Sequence, residues 1–289
     1  TLLNREPTFI PTVKQSHLFD VVTNMMKGEI VPSRHVIMAL PSLVNAFCLN
    51  SACFDEIKQS GIFVKFLESV LTDQNLCSAF PSQWGAWFGI RVNEFIRHHS
   101  DMRQVVVDCV VSSLKTIEKQ MDESNMSSFT VDTTKKSPLF NMTLFSLAVA
   151  SEIAPANSEV LRLFVEKEGL RSVLSMTSKL FIREPIIFKS VFNLVKKISR
   201  DALLSPTFKT MWTLIRECLQ ECESYGSGDE AQWIKSLARL TALLSMYQGA
   251  FNRTPPTFLT EWQGVNGSDI LPLLTSQVAK TAWAVSFKT

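Results

Sequence analysis

Cys218 and Cys222 stand four residues apart in an apolar run, the spacing at which two thiolates on one helix face can hold a metal ion. Zinc requires two further ligands, and no His or other Cys lies near this pair in sequence, so the pair reads as packing and no metal site is expected. Cys48, Cys53, Cys77 and Cys109 also fall within apolar patterns, and all six cysteines read as reduced core residues of an intracellular protein. His98-His99 close a helical run, where an imidazole faces solvent or the negative end of the helix dipole rather than acting as a general base. His17 and His35 are isolated. The carboxylate pairs Asp122-Glu123 and Asp229-Glu230 fall in loops or helix starts, where negative charge suits the dipole.

No glycine-rich phosphate loop, GxSxG elbow or HExxH run is present, and Gly85 and Gly89 stand on a Trp-rich helix rather than after a strand. The expectation is therefore no catalytic residue and no cofactor. A groove of the carrier type would repeat Trp-x-x-x-Asn. Trp262 with Asn266 is the single match, while Trp84, Trp87, Trp212, Trp233 and Trp283 lack the Asn and read as core. The sequons at Asn125, Asn141, Asn252 and Asn266 read as chance, Asn141 especially, because it falls among Phe140, Met142, Leu144 and Phe145. Ser137-Pro138 has the form of a proline-directed phosphorylation site, with an unmodified insertion as the simpler account.

Composition narrows the partners. A net charge of +2 is too small to favour nucleic acid or a membrane surface, and Lys135-Lys136 and Lys196-Lys197 are isolated solvated pairs. Charged residues reach 19%, against about 25% in an ordinary soluble domain, which implies that some faces are covered by protein. No basic stretch followed by an apolar run opens the chain, and no run of about 18 apolar residues marks a membrane span. Thr1 in place of Met reads as the start of an internal segment.

Helices must position everything named so far. Apolar residues recur at spacings of three and four over Leu18–Met26, Val31–Leu49, Ala52–Gln59, Ile62–Leu71, Trp84–Arg97, Met102–Met121, Leu139–Ile153, Ser158–Lys167, Leu170–Leu180, Pro185–Ile198, Phe208–Cys222, Ala231–Met246 and Ile270–Phe287. Pro41 predicts a kink or a break into two helices. Between Val36 and Leu71 three short helices follow one another with almost no loop, Asn50 closing the first and Gly61 turning the second into the third. Val165, Gly169 and Leu170 repeat the pattern of Ile57, Gly61 and Ile62, an apolar-Gly-apolar corner of the armadillo type, so Gly61 and Gly169 are both expected at left-handed helix ends.

The expected architecture is all-α, an armadillo/HEAT-like α-solenoid forming one segment of a longer superhelix. Residues 1–121 form a first repeat block, 122–137 a flexible Ser/Thr-rich linker, and 138–289 a second block. Phe9, Ile10 and Val13 at one end, and Ile270 to Phe287 at the other, are apolar without a polar cap, which points to further repeats on both sides.

Ala39 to Asn50, the corner at Gly61, Gly85 to His98 with its late VNEFIRHH, and the terminal WQGVNGSDILPLLTSQVAKTAWAVS resemble the helical region in the N-terminal half of giant HECT-type E3 ubiquitin ligases. That family includes the animal ligase with HECT, UBA and WWE domains and its yeast counterpart, whose armadillo-like repeats wind into a ring that holds substrates near the HECT domain. The resemblance implies a non-catalytic scaffold of the cytoplasm or nucleus that recruits or positions protein substrates. Its partners would be those substrates, adjacent repeats of the same chain and, through a HECT domain outside this segment, a ubiquitin-charged E2, without direct nucleic-acid or membrane contact. The family's catalytic cysteine has no match here, so none of the six cysteines inherits its role. An armadillo-type tether or transport adaptor without a link to ubiquitin is the alternative.

Overall fold

A computed structural model describes residues 17–80, 83–123, 138–180, 204–225 and 230–251, with the isolated Thr8, Thr12, Val191 and Leu194. The fold is an all-α solenoid, and no strand occurs among the described residues. The helices are α1 (Leu18–Lys27), α2 (Arg34–Phe47), α3 (Ser51–Ser60), α4 (Ile62–Thr72), α5 (Gln74–Ser78), α6 (Trp84–His98), α7 (Arg103–Glu123), α8 (Pro138–Ile153), α9 (Ser158–Glu166), α10 (Gly169–Leu180), α11 (Leu204–Tyr225) and α12 (Glu230–Phe251), with a 3₁₀ turn at Ser100–Met102 before α7. By packing the chain divides into two compact units, Thr1–Ser172 and Val173–Thr289.

In the first unit, α8 is the buried axis. Twelve of its 16 residues are buried, with a narrow half-buried stripe at Asn141, Ala148 and Glu152, and it packs on α4, α5, α6 and α7. Its hydroxyls are satisfied internally: Thr143 and Ser151 donate to the carbonyls of Leu139 and Leu147, and Ser146 donates to Leu71 O on α4 at 3.0 Å. Gly85 and Gly89, one turn apart on α6, let that helix meet α8 backbone to backbone. A β-carbon at Gly85 would stand 2.7 Å from Phe145 O, and one at Gly89 would stand 2.9 Å from Val149 O. Phe88 and Phe95 of α6 are fully buried alongside.

The trio α2, α3 and α4 has the short corners expected of it, with one correction. Of the kink or break expected at Pro41 there is no break, since the residue lies within one continuous helix. Ile37, Met38, Leu40 and Val44 are all buried on α2, and burial worth about 1.5–3 kcal/mol per large side chain outweighs a proline cost of roughly 3 kcal/mol. Asn50 does not close α2 but starts α3, its side chain accepting from Cys53 N at 3.3 Å. Asn157 starts α9 in the same way, accepting from Val160 N at 2.9 Å.

In the second unit α11 and α12 pack on each other along Met211, Ile215, Cys218, Leu219, Leu240, Leu243 and Met246, all buried. Pro206 falls in the first turn of α11, where the missing N–H costs no intrahelical bond. The sequence-based helices over Pro185–Ile198 and Ile270–Phe287, the apolar start at Phe9, Ile10 and Val13, and the polar stretch beyond Glu123 with Ser137 lie outside the described residues, apart from Val191 and Leu194.

Candidate functional site

Each thiol is placed by an apolar helix face and pays for it in reactivity. All six cysteines are free and buried. Burial, then the neighbouring Cys53, pushes the Cys48 thiol up to about 12, and burial followed by the Asp73 carboxylate does the same for Cys77. Cys109 rises to about 12 by burial first and Glu68 second, and donates to Val64 O at 3.6 Å. Cys218 rises to about 11, burial prevailing over the opposing pull of Arg239. A thiol held neutral near pH 7 is a poor nucleophile toward a thioester. Among the described residues no group of three or more His, Cys, Asp or Glu converges as a metal site, and Cys218 and Cys222 are both buried on α11.

His98 and His99 join three helices rather than ending one freely. His98 Nδ1 lies 3.2 Å from Asn45 Oδ1 on α2. His99 stacks on Phe54 of α3, with centroids 4.8 Å apart, and lies against Phe95 of its own helix. Burial lowers the His99 pKa below its ordinary 6.5, and His98 lowers it further. Its Nε2 is buried without a hydrogen-bond partner. With no hydrogen-bonding group on that nitrogen among the described residues, and aromatic rings on either side, this is a packed corner.

The two helix corners differ in detail. Gly61 takes φ 61°, left-handed, between α3 and α4, and its N–H bonds Lys58 O. At the second corner the left-handed residue is Glu168, at φ 69°, and Gly169 is the first residue of α10 without a positive φ. Gly169 is required for space, since a β-carbon there would stand 2.6 Å from Cε2 of the fully buried Phe164. The cap asparagines carried the correct register: Gly61 lies 11 residues after Asn50 (61 − 50) and Glu168 11 after Asn157 (168 − 157).

Ion pairs hold the outer face around the second corner. Arg103 meets Glu159 at 2.6 Å, Lys115 meets Glu168 at 2.9 Å and Lys167 meets Asp108 at 3.1 Å, each at least partly exposed. Pairing with Lys115 lowers the Glu168 pKa. The lysines that line the shallow hollow there are thus already matched by carboxylates.

Sequence reasoning missed the groove bordered by α1, the α1–α2 loop, α4 and α5, about 640 Å³ in volume. Its signal was present in Gly28, the left-handed stop of α1 at φ 80°, and in the apolar Ile30 and Val31 that follow in a loop.

Comparison with known proteins completes the description. Residues 1–137 match the family described as Domain of Unknown Function (DUF913). The chain is 23% identical over 211 residues to E3 ubiquitin-protein ligase UPL2 of Arabidopsis thaliana, covering 61% of this chain and 6% of that protein. It is 24% identical over 195 residues to E3 ubiquitin-protein ligase ptr1 of Schizosaccharomyces pombe, covering 67% and 6%. With E3 ubiquitin-protein ligase TOM1 of Saccharomyces cerevisiae it shares 23% over 114 residues, 39% of this chain and 4% of that one. The chain spans only about a twentieth of the relatives that it matches. The chain is thus similar, over as much as two thirds of its residues, to the N-terminal region of giant HECT-type E3 ubiquitin ligases.

Proposed function

We propose that this chain is a non-catalytic scaffold segment of a HECT-type E3 ubiquitin ligase, which recruits or positions protein substrates for ubiquitin transfer in the cytoplasm or nucleus. One observation carries the reading: the similarity to E3 ligases runs through a stretch whose cysteines are all buried free thiols. Transfer through a HECT domain passes ubiquitin to a cysteine thiolate, and a thiol held at about 11 to 12 by burial is not one. A scaffold contributes differently. Holding a substrate on the same chain replaces a bimolecular encounter with an effective local concentration, which is how a binding surface accelerates a distant transfer.

The test is to excise residues 17–180 from the parent ligase and measure two steps separately. Thioester formation from a charged E2 should persist, while modification of protein substrates should fall. Loss of the thioester step itself, or substrate modification at the unaltered rate, would overturn the scaffold assignment.

A further inference from the structure

The groove beside α1 and α4 is apolar on its floor and positive at its rim. Met25, Met26, Ile37, Phe66 and Val70 line it, and Val31 stands at its mouth 90% exposed. Met26, Ile37, Phe66 and Val70 are themselves buried, so the apolar surface open to a partner is that of the half-buried Met25 and the exposed Val31, where an unbranched thioether adapts to varied shapes. Three charged groups line the same groove. Asp73 is committed to α5, its carboxylate accepting from Asn75 N at 2.8 Å and Leu76 N at 2.9 Å. Lys27 and Lys65 are exposed and form no ion pair among the described residues, in contrast to Lys58, Lys115 and Lys167, which all do. Lys119 is likewise paired, with Glu123, so among the lysines whose side chains are described Lys27 and Lys65 stand apart.

We infer that this groove binds an acidic amphipathic helix of a partner protein, apolar side chains on Met25, Val31 and Pro32 and carboxylates toward Lys27 and Lys65. Three of the walls are helices, whose backbone hydrogen bonds are already made, the fourth is the short α1–α2 loop, and among the described residues there is no strand edge for an extended peptide to join. A helix brings its own backbone bonds and presents anchors at spacings of three and four to the groove. The inference deepens the scaffold reading by naming the chemistry of one recruited class, and rests on that reading only for its link to ubiquitin.

The probe is a fluorescein-labelled peptide of about sixteen residues, some four helical turns, with Leu along one face and Glu beside it. Its anisotropy is measured against the 289-residue chain, with one control peptide carrying Lys for Glu and another carrying Ser for Leu. The acidic peptide should bind, more weakly as salt is raised, and both controls should fail. The K27E/K65E double variant and Val31→Asp should each weaken binding at least about tenfold with an unchanged melting temperature, because all three positions are exposed and reversing charge at a rim opposes the partner directly. Absence of binding, equal binding of the basic peptide, or indifference to these substitutions would overturn the inference. So would self-association of the chain that Val31→Asp abolishes, since the groove would then be filled by a second copy. Peptide binding that survives while the parent chain carries no ubiquitin activity would sink the ligase reading alone.

Discussion

Glu168 occupies at the second helix corner the place that Gly61 occupies at the first. Each is left-handed, each donates its N–H to the carbonyl three residues back (Val165 O at 3.0 Å and Lys58 O at 3.4 Å), and each accepts from the residue four ahead (Ser172 N and Lys65 N, both at 3.2 Å). One corner meets the backbone demand with glycine and the other with a strained glutamate. Gly61→Ala should cost on the order of 1 kcal/mol from the left-handed penalty alone, since nothing lies within 4 Å of the added carbon. Gly61→Asn should cost less, because asparagine tolerates that region. Glu168→Gly should leave stability nearly unchanged, strain relief of about 1 kcal/mol being offset by the entropy of a freer unfolded chain at about 0.4–1 kcal/mol and by loss of the exposed pair with Lys115, worth a few tenths of a kcal/mol. Urea denaturation of the three variants reads the order, and a Glu168→Gly loss as large as that of Gly61→Ala would refute the equivalence.

Gly85 and Gly89 make the opposite demand. Alanine is the better helix former by about 1 kcal/mol, yet each added methyl would meet the α8 backbone within 3 Å, and overpacking of this kind costs about 1–3 kcal/mol. A backbone carbonyl cannot rotate out of the way as a side chain can. Gly85→Ala is therefore expected to lose stability net, by roughly 1 kcal/mol or more, and the double G85A/G89A variant to lose more still. Stabilisation on thermal melting would mean that α6 and α8 are not in backbone contact.

Thiol chemistry follows burial. In the native chain all six cysteines should be slow toward a disulfide reagent such as Ellman's, and all six should react once the chain is unfolded in guanidinium. Mixed with a ubiquitin-charged E2, the isolated chain should give no reducible ubiquitin adduct. A band that vanishes with thiol and with the loss of one named cysteine would show an activated nucleophile that burial contradicts.

His99 makes a pH dependence with a definite sign. Its folded pKa lies below 6.5, so at pH values between the two the unfolded chain binds the extra proton. The contribution of neutral His99 to stability is fully present above about 6.5, is lost as pH falls below that value, and levels off beneath the folded pKa. Melting temperature measured from pH 8 downward should decline through this window, and His99→Gln should flatten the decline. An unaltered slope in that variant would place the proton elsewhere.

Arg239 and Glu221 form the partly buried pair between α12 and α11, 2.7 Å apart, with Ser236 also beside Glu221. Glu221→Gln leaves the guanidinium, 17% exposed, without its anion and should cost about 1–3 kcal/mol. Replacing both by Met should cost less than the sum of the single losses, as a double-mutant cycle in urea would show. Additive losses would mean that the two charges do not interact.

Among the described residues most helices were legible in the sequence, because apolar residues at spacings of three and four have one way to share a face, whereas the five-residue α5 is too short to show that period and was not foreseen. Gly61 was legible for the same local reason: a turn between abutting helices needs a left-handed residue, and glycine takes that conformation freely. Tertiary structure decided what local pattern does not encode. Gly85 and Gly89 look like helix-weakening residues until α8, some sixty positions away, lies against them. Pro41 looks like a break until the core around Leu40 and Val44 holds the helix together. Gly169 carries the composition of a corner, yet the left-handed turn falls on Glu168, and what Gly169 supplies is room for the ring of Phe164. The lysine-rimmed groove is likewise a product of packing: Lys27 and Lys65 are ordinary solvated charges along the chain, and only the approach of α1 to α4 places them together over an apolar floor.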